Sequence, residues 1–208
     1  MPKGSPELTA ARKEEIINAC EDLYKTMSFK EITLKEIGNV TSFTRTSIYN
    51  YFQTKEEIFL ALFEREYDRW NEELIGIFDS NEALTKSELA SKIASSVTER
   101  EQLLKLLSMN IYDMESNSRP EILTSFKKAY GASISNISRL LEKFCPEMSE
   151  DDIGNFIYMF FPFMFGIYPY TSVTNKQRKA MEEAGINYVY HSVYELTYSC
   201  LCRLLGAE

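Results

Sequence analysis

Apolar residues recur along this chain at spacings of three and four, and the two-residue alternation of a half-buried strand is nearly absent. Ile16, Cys20, Leu23 and Met27, with Ile17 and Tyr24 beside them, make one stripe that predicts an amphipathic helix over about residues 7–27. Ser5-Pro6 supplies its cap and first position. Three helix starts then follow in quick succession. Thr33-Leu-Lys-Glu36 has capping-box spacing, with Ile32 and Ile37 placed as a hydrophobic staple. Thr44-Arg-Thr-Ser47 opens a helix over about 44–52, with Phe43 and Ile48 as its staple pair. Thr54-Lys-Glu-Glu57 is a third capping box, opening a long helix through Ile58, Leu62, Tyr67 and Trp70 to about Phe78.

The second and third helices are barely two turns each, and helices so short exist only by packing together. A tight pair over a preceding helix is the helix-turn-helix arrangement. From about residue 84 the pattern is helical again, over about 85–97, 99–115, 120–144, 150–168 and 176–205. The fold class is therefore all-α, about nine helices: a three-helix helix-turn-helix domain over 1–54 and a helical domain over 55–208.

The most apolar run, Phe156 to Tyr168, is 13 residues long and contains Pro162. A membrane-spanning helix needs roughly 20 residues, so the run reads as buried core. A helix apolar on all sides must be covered on all sides, and Pro162 is expected to bend it. No apolar segment follows a basic start, and the expectation is a soluble, cytoplasmic chain with no membrane partner.

The four cysteines (Cys20, Cys145, Cys200, Cys202) lack C-x-x-C spacing and a histidine cluster, so they read as reduced, packed thiols. The single histidine, His191, lies in the stretch expected to be an apolar helix. With no Gly-rich phosphate loop and no metal-ligand cluster, little catalytic equipment is present; no enzyme, cofactor or metal is expected. The net charge of −8 argues at first against a nucleic-acid partner. Its distribution softens that: residues 1–55 hold eight basic and seven acidic side chains, a balance of +1, leaving −9 on the rest.

On the 44–52 helix, Ile48 and Phe52 share an inward face with Phe43, while Arg45 and Tyr49 lie on another with Thr46 and Asn50 near. A guanidinium, hydroxyls and an amide are groups that hydrogen-bond base edges and phosphates, arginine to guanine above all. Lys35, Arg45 and Lys55 each fall in a first helical turn, where a cation opposes the helix dipole unless a phosphate sits there.

The stretch from Leu34 to Ile58, with Tyr49-Asn-Tyr51-Phe52 followed by Lys55-Glu56-Glu57, resembles the DNA-binding domain of the tetracycline-repressor (TetR) family over about residues 7–60. The resemblance implies base contacts from Arg45 and Thr46. It also implies phosphate contacts from Tyr49, Tyr51, Lys55 and the Thr33 cap, with Thr44 near the DNA backbone. Ser42 and Phe43 stand where the family usually has glycine and valine, and serine takes a left-handed turn conformation less readily than glycine. Family members are dimers whose remaining helices bind a small effector and join through the last two helices.

In the body, Val189, Val193, Leu196, Cys200 and Leu204 form one stripe of the expected last helix, and Tyr190, Tyr194, Leu201 and Leu205 another. Two wide apolar helices exceed what one small core covers, which suggests a two-fold interface through Ile157, Val189, Val193, Leu196 and Cys200. Met109, Tyr112, Met114, Phe126, Tyr130, Phe161 and Phe165 are candidate walls of an apolar effector pocket, with Tyr112 and Asp113 as polar anchors. The expected function is a homodimeric repressor on a palindromic double-stranded DNA operator, released by a small apolar or aromatic effector. Two alternatives remain: a DNA-binding head whose body binds a protein partner, and a small-molecule carrier or enzyme.

Overall fold

A computed structural model of the chain describes residues 5–109 and 111–207. Among the described residues there are eleven helices and no strand. They are α1 (Pro6–Thr26), α2 (Leu34–Asn39), α3 (Arg45–Ile48), α4 (Lys55–Asp79), α5 (Lys86–Thr98) and α6 (Glu101–Leu107). The remaining five are α7 (Ile111–Ser116), α8 (Pro120–Phe144), α9 (Glu150–Thr171), α10 (Asn175–Glu183) and α11 (Val193–Leu205).

The chain divides into two compact units. The first takes residues 1–65 and 110–129, the second 66–109 and 130–208. The division therefore falls inside α4 and again inside α8.

The first unit forms around α1–α3 because the two short helices bring their staple isoleucines inward: Ile32, Ile37 and Ile48 are all fully buried. The α1 stripe meets the start of α4 there, with the edge of Phe59 against Tyr24 at 5.1 Å and Phe29 at 4.8 Å. Phe63 stacks on Phe126 from α8 at 4.9 Å. Arg65 ties α4 to α1 through Glu14 at 2.5 Å and Glu21 at 2.7 Å. Burying each large apolar side chain contributes about 1.5–3 kcal/mol, far more than any single partly exposed ion pair.

The second unit is built on aromatic packing. Tyr67, Trp70, Tyr130 and Phe161 meet with ring centroids 5.6–6.4 Å apart. The buried Trp70 indole donates to Ser96 Oγ at 3.0 Å, and Asn136 donates to the buried Asn71 at 3.0 Å, so these interior polar groups are satisfied. Helices α5 and α11 lie together and are pinned by Ser87–Tyr198 (2.7 Å) and Ser91–Tyr194 (3.0 Å) hydroxyl bonds. On α9, Phe156, Phe160, Phe161, Met164 and Ile167 are buried, while Tyr158 is 81% exposed, Met159 56% and Tyr170 57%. Cover is thus provided on one side of this helix only. Both Pro162 and Pro169 sit within it.

Two expected helices are each divided. The one over 99–115 ends at Leu107, where the Ser108 hydroxyl donates to the Lys105 carbonyl at 2.7 Å, and restarts at Ile111. The one over 176–205 ends at Glu183 with Gly185 in the left-handed region (φ 70°) and restarts at Val193 behind a Ser192/Glu195 capping box. Val189 and Tyr190 therefore lie in the connection, not on the last helix. His191 lies there too, exposed, 3.9 Å from Glu195.

Candidate nucleic-acid interface

Helix α3 is short because little within it caps it. Thr44 makes no side-chain cap bond, and only Arg45–Ile48 is α-helical; Asn50, Tyr51 and Phe52 continue the chain through turn bonds to Ser47 and Ile48. Its position comes from α2. A Cβ on Gly38 would stand 3.2 Å from the Arg45 amide nitrogen, so the absence of a side chain lets α3 begin directly against α2.

The turn between them uses no left-handed residue, since among the described residues only glycines have positive φ. Instead the Glu15 carboxylate accepts from the Ser42 amide, Arg12 donates to Ser42 Oγ, and Thr41 Oγ1 donates to the Phe43 carbonyl at 3.0 Å. The Arg12 guanidinium also covers the Phe43 ring at 4.7 Å. Side chains from α1 thus fix the turn in which serine and phenylalanine replace the usual pair.

This scaffold displays the expected reading set. Arg45, Thr46, Tyr49 and Asn50 are exposed, and Arg45 Nη2 donates to the Tyr49 hydroxyl at 3.0 Å. The pair is pre-arranged, with the guanidinium held beside the ring rather than sampling solvent alone. Tyr51 is half-buried, 6.3 Å from the Phe43 ring. Lys35 is exposed in the first turn of α2, where the exposed Thr33 hydroxyl accepts the Lys35 and Glu36 amides and meets the Glu36 carboxylate. Thr44, also exposed, sits 3.3 Å from the Ser47 hydroxyl.

Lys55 differs from expectation. Its ammonium donates to the carbonyls of Phe29 (2.7 Å) and Ile32 (3.1 Å) and lies 4.1 Å over the Phe29 ring. Two of its three donors are occupied within the protein, which gives this lysine a structural role in closing the 29–32 connection.

The third capping box is also half formed. Thr54 Oγ1 accepts the Glu57 amide at 3.2 Å, but the Glu57 carboxylate turns inward, 1% exposed. It accepts from the Gln53 amide (2.7 Å) and from three donors of Arg119: the amide (3.0 Å), Nε (2.7 Å) and Nη2 (2.9 Å). Arg119 Nη2 also donates to the Tyr51 carbonyl at 3.1 Å. Burial alone would lift the Glu57 carboxyl, but the Arg119 and amide hydrogen bonds outweigh it and hold its pKa below the ordinary carboxylate value. Sequence reading missed Arg119, Arg12, Glu15 and Gly38. The only local sign was Arg119 before Pro120, which marks a helix start and names no partner.

The effector candidates divide between the units. Tyr112, Asp113, Met114 and Phe126 belong to the first, with Tyr112 and Asp113 exposed and Met114 buried; Met109, Tyr130, Phe161 and Phe165 belong to the second. In the first unit a cleft of about 670 Å³ runs along α1, lined by Ala11, Glu14, Glu15, Asn18, Ala19, Asp22, Leu23, Thr26 and Val40. None of the effector candidates lines it, and its carboxylates do not suit an apolar ligand.

Of the interface candidates, Ile157, Val193, Leu196 and Cys200 are half-buried, and Val189 is 66% exposed. The four thiols are free; Cys20 is pushed up to about 12 by burial, and burial raises Cys145 and Cys200 as well. No metal-binding cluster occurs, and no single helix is long and apolar enough to cross a membrane, among the described residues.

Known proteins share this fold. The chain is 24% identical over 148 residues to an HTH-type transcriptional regulator of Bacillus subtilis, YfiR, covering 68% of this chain and 69% of that one. Among solved structures, the fatty acid degradation regulator FadR of Bacillus halodurans superposes with a TM-score of 0.61 at 15% identity, over 99% of this chain and 97% of that one. FadR of Bacillus subtilis, solved in complex with stearoyl-CoA, has a TM-score of 0.59 at 16% identity, over 94% and 98% of the two chains. A TetR-family regulator of Mesorhizobium loti gives 0.62 at 14% identity, over 95% and 96%. The model of the tetracyclin repressor-like C-terminal domain matches residues 64–197. With a helix-turn-helix ahead of that domain, the chain belongs to the tetracycline-repressor family and is a transcriptional regulator of that type, not an enzyme.

Proposed function

We propose that the chain acts as a homodimer that represses transcription by binding a palindromic operator, and that a small effector with an apolar or aromatic part releases it. The observation that carries the DNA half is the exposed Arg45–Tyr49 pair, pre-arranged on a helix that Gly38 lets sit against α2. Arg45 and Thr46 would meet base edges. Tyr49, Asn50, Tyr51, Lys35, Thr33 and Thr44 would meet the DNA backbone, with the third donor of Lys55 at most a minor addition.

A two-fold dimer presents two heads to successive major grooves about 34 Å apart. The bare side of α9 supports such a dimer, because Tyr158, Met159 and Tyr170 form an exposed apolar surface on an otherwise packed helix. An apolar effector is in keeping with the aromatic interior around Tyr67, Trp70, Tyr130 and Phe161, and with the acyl-CoA complex of one structural neighbour. Release would follow if the effector favours a dimer whose heads no longer match the grooves.

Fluorescence anisotropy on the intergenic DNA upstream of the chain's own gene tests this, wild type against Arg45→Ala. A loss of about tenfold or more in the variant, on the scale of one good base contact, is the expected result. Equal binding by both would remove Arg45 from the interface.

A further inference from the structure

The reading helix has a second support that does not come from the helix-turn-helix itself. The corner between α3 and α4, residues 51–57, is bonded at three points to the segment just before α8. Arg119 holds the Tyr51 carbonyl (3.1 Å) and both Glu57 oxygens (2.7 and 2.9 Å), and the Thr54 hydroxyl donates to the Asn117 carbonyl at 2.9 Å. All of these residues lie in the first unit.

Glu57 is 1% exposed, and a buried carboxylate is tolerated only when its oxygens are well paired. Here a planar guanidinium fork reaches two acceptors at once, the carboxylate and a main-chain carbonyl, a geometry that lysine cannot copy. Tyr51 lies in this corner, its carbonyl held by Arg119, and Tyr49 stands two residues before it at the end of α3. Arg45 in turn takes its orientation from Tyr49.

We propose that Arg119 is a positioning residue for DNA reading: it touches no DNA but fixes the α3–α4 corner from which Tyr49 and Tyr51 project. The inference rests on the DNA contacts proposed above. It differs from them in assigning a specificity role to a residue 62 positions from Glu57 in sequence.

The test compares wild type, Arg119→Met, Arg119→Lys and Glu57→Gln. The DNA probe is a duplex enriched by the wild-type chain from a random pool, set against a scrambled duplex. Arg119→Met should weaken binding to the enriched duplex by about tenfold or more, the scale set by leaving a buried charged group unpaired. Binding to the scrambled duplex should fall less, because the base contacts of Arg45 count only on the enriched one. The dependence on salt should stay as in wild type, because Arg119 itself meets no phosphate and the tyrosines it positions are uncharged. Without DNA, amide hydrogen exchange should quicken at residues 49–57 and stay unchanged in α1, α5 and α11.

Wild-type affinity and exchange in Arg119→Met would overturn the proposal. So would a shallower salt dependence, which would make Arg119 a phosphate ligand, or exchange quickened equally through α1, which would make it a general stabiliser. Should Arg119→Met not fold, Arg119→Lys and Glu57→Gln decide by the same criteria. If the wild-type chain enriches no duplex, the DNA reading itself fails, while the exchange measurement still decides whether Arg119 holds the corner.

Discussion

Helix α3 in the first unit and helix α9 in the second both present side chains to solvent, and they do so in opposite chemistry. On α3 the exposed groups are polar and already hold one another, as Arg45 holds Tyr49. On α9 they are apolar and uncovered, with Tyr158 the most exposed. An exposed polar set on a fixed scaffold loses little on meeting a hydrated polyanion, because its geometry is settled beforehand. An exposed apolar set gains only by excluding water against another apolar surface. If the two faces serve as proposed, their driving forces would differ, the first sensitive to salt and the second not.

The sharpest way to break the contrast is to put charge on α9. Tyr158→Asp with Met159→Asp should shift the chain from dimer to monomer in sedimentation velocity, raising the dimer dissociation constant by about thirtyfold or more, as loss of interface hot spots does. An unchanged sedimentation coefficient would assign that face to something other than a second copy.

A smaller effect is expected at the reading end. Gly38→Ala places a methyl 3.2 Å from the Arg45 amide nitrogen, so α3 must shift, at about 1 kcal/mol in urea unfolding of the first unit and with a measurable loss of operator affinity. Unaltered stability and affinity would show that the α2–α3 approach has slack.

The smallest effect concerns acid. Glu88, Asp152 and Glu195 cap α5, α9 and α11 and are held below their ordinary values by hydrogen bonds from Thr85, Ser149 and Ser192. Lowered folded values mean stability that is present above the ordinary values of 4.5 for glutamate and 3.8 for aspartate, and lost as pH falls through the folded ones. The melting temperature of the second unit should fall slightly over that range, and amide replacements at the three positions should flatten the fall. A profile identical in the triple variant would place the acid response elsewhere.

Much of the fold was legible because its signals are local. The α1 stripe, the caps at Ser5 and Thr33 and the outward set on α3 all depend on residues within four positions of one another. What escaped depends on distance or on what lies outside the chain. Glu57 reads as a capping acid until Arg119 arrives, and the carbonyls of Phe29 and Ile32 that Lys55 meets lie 26 and 23 positions before it.

The break at 184–192 had its own local signals, Gly185 and the S-x-x-E spacing at Ser192–Glu195. The apolar spacing running on through Val189 concealed them. Hydropathy showed that α9 is apolar all round but could not say which side its own unit would cover.

The discontinuity of the first unit has a consequence for how the protein is made. Residues 66–109 are synthesised between its two segments. At about 5–20 residues per second, the ribosome delivers the closing segment roughly 2–9 s after the opening one. During that interval Glu57 has emerged without Arg119, and Phe63 without Phe126. The nascent helix-turn-helix therefore waits, with its corner unclasped, until more than half of the chain has left the tunnel, and only then can the Glu57–Arg119 and Phe63–Phe126 contacts close.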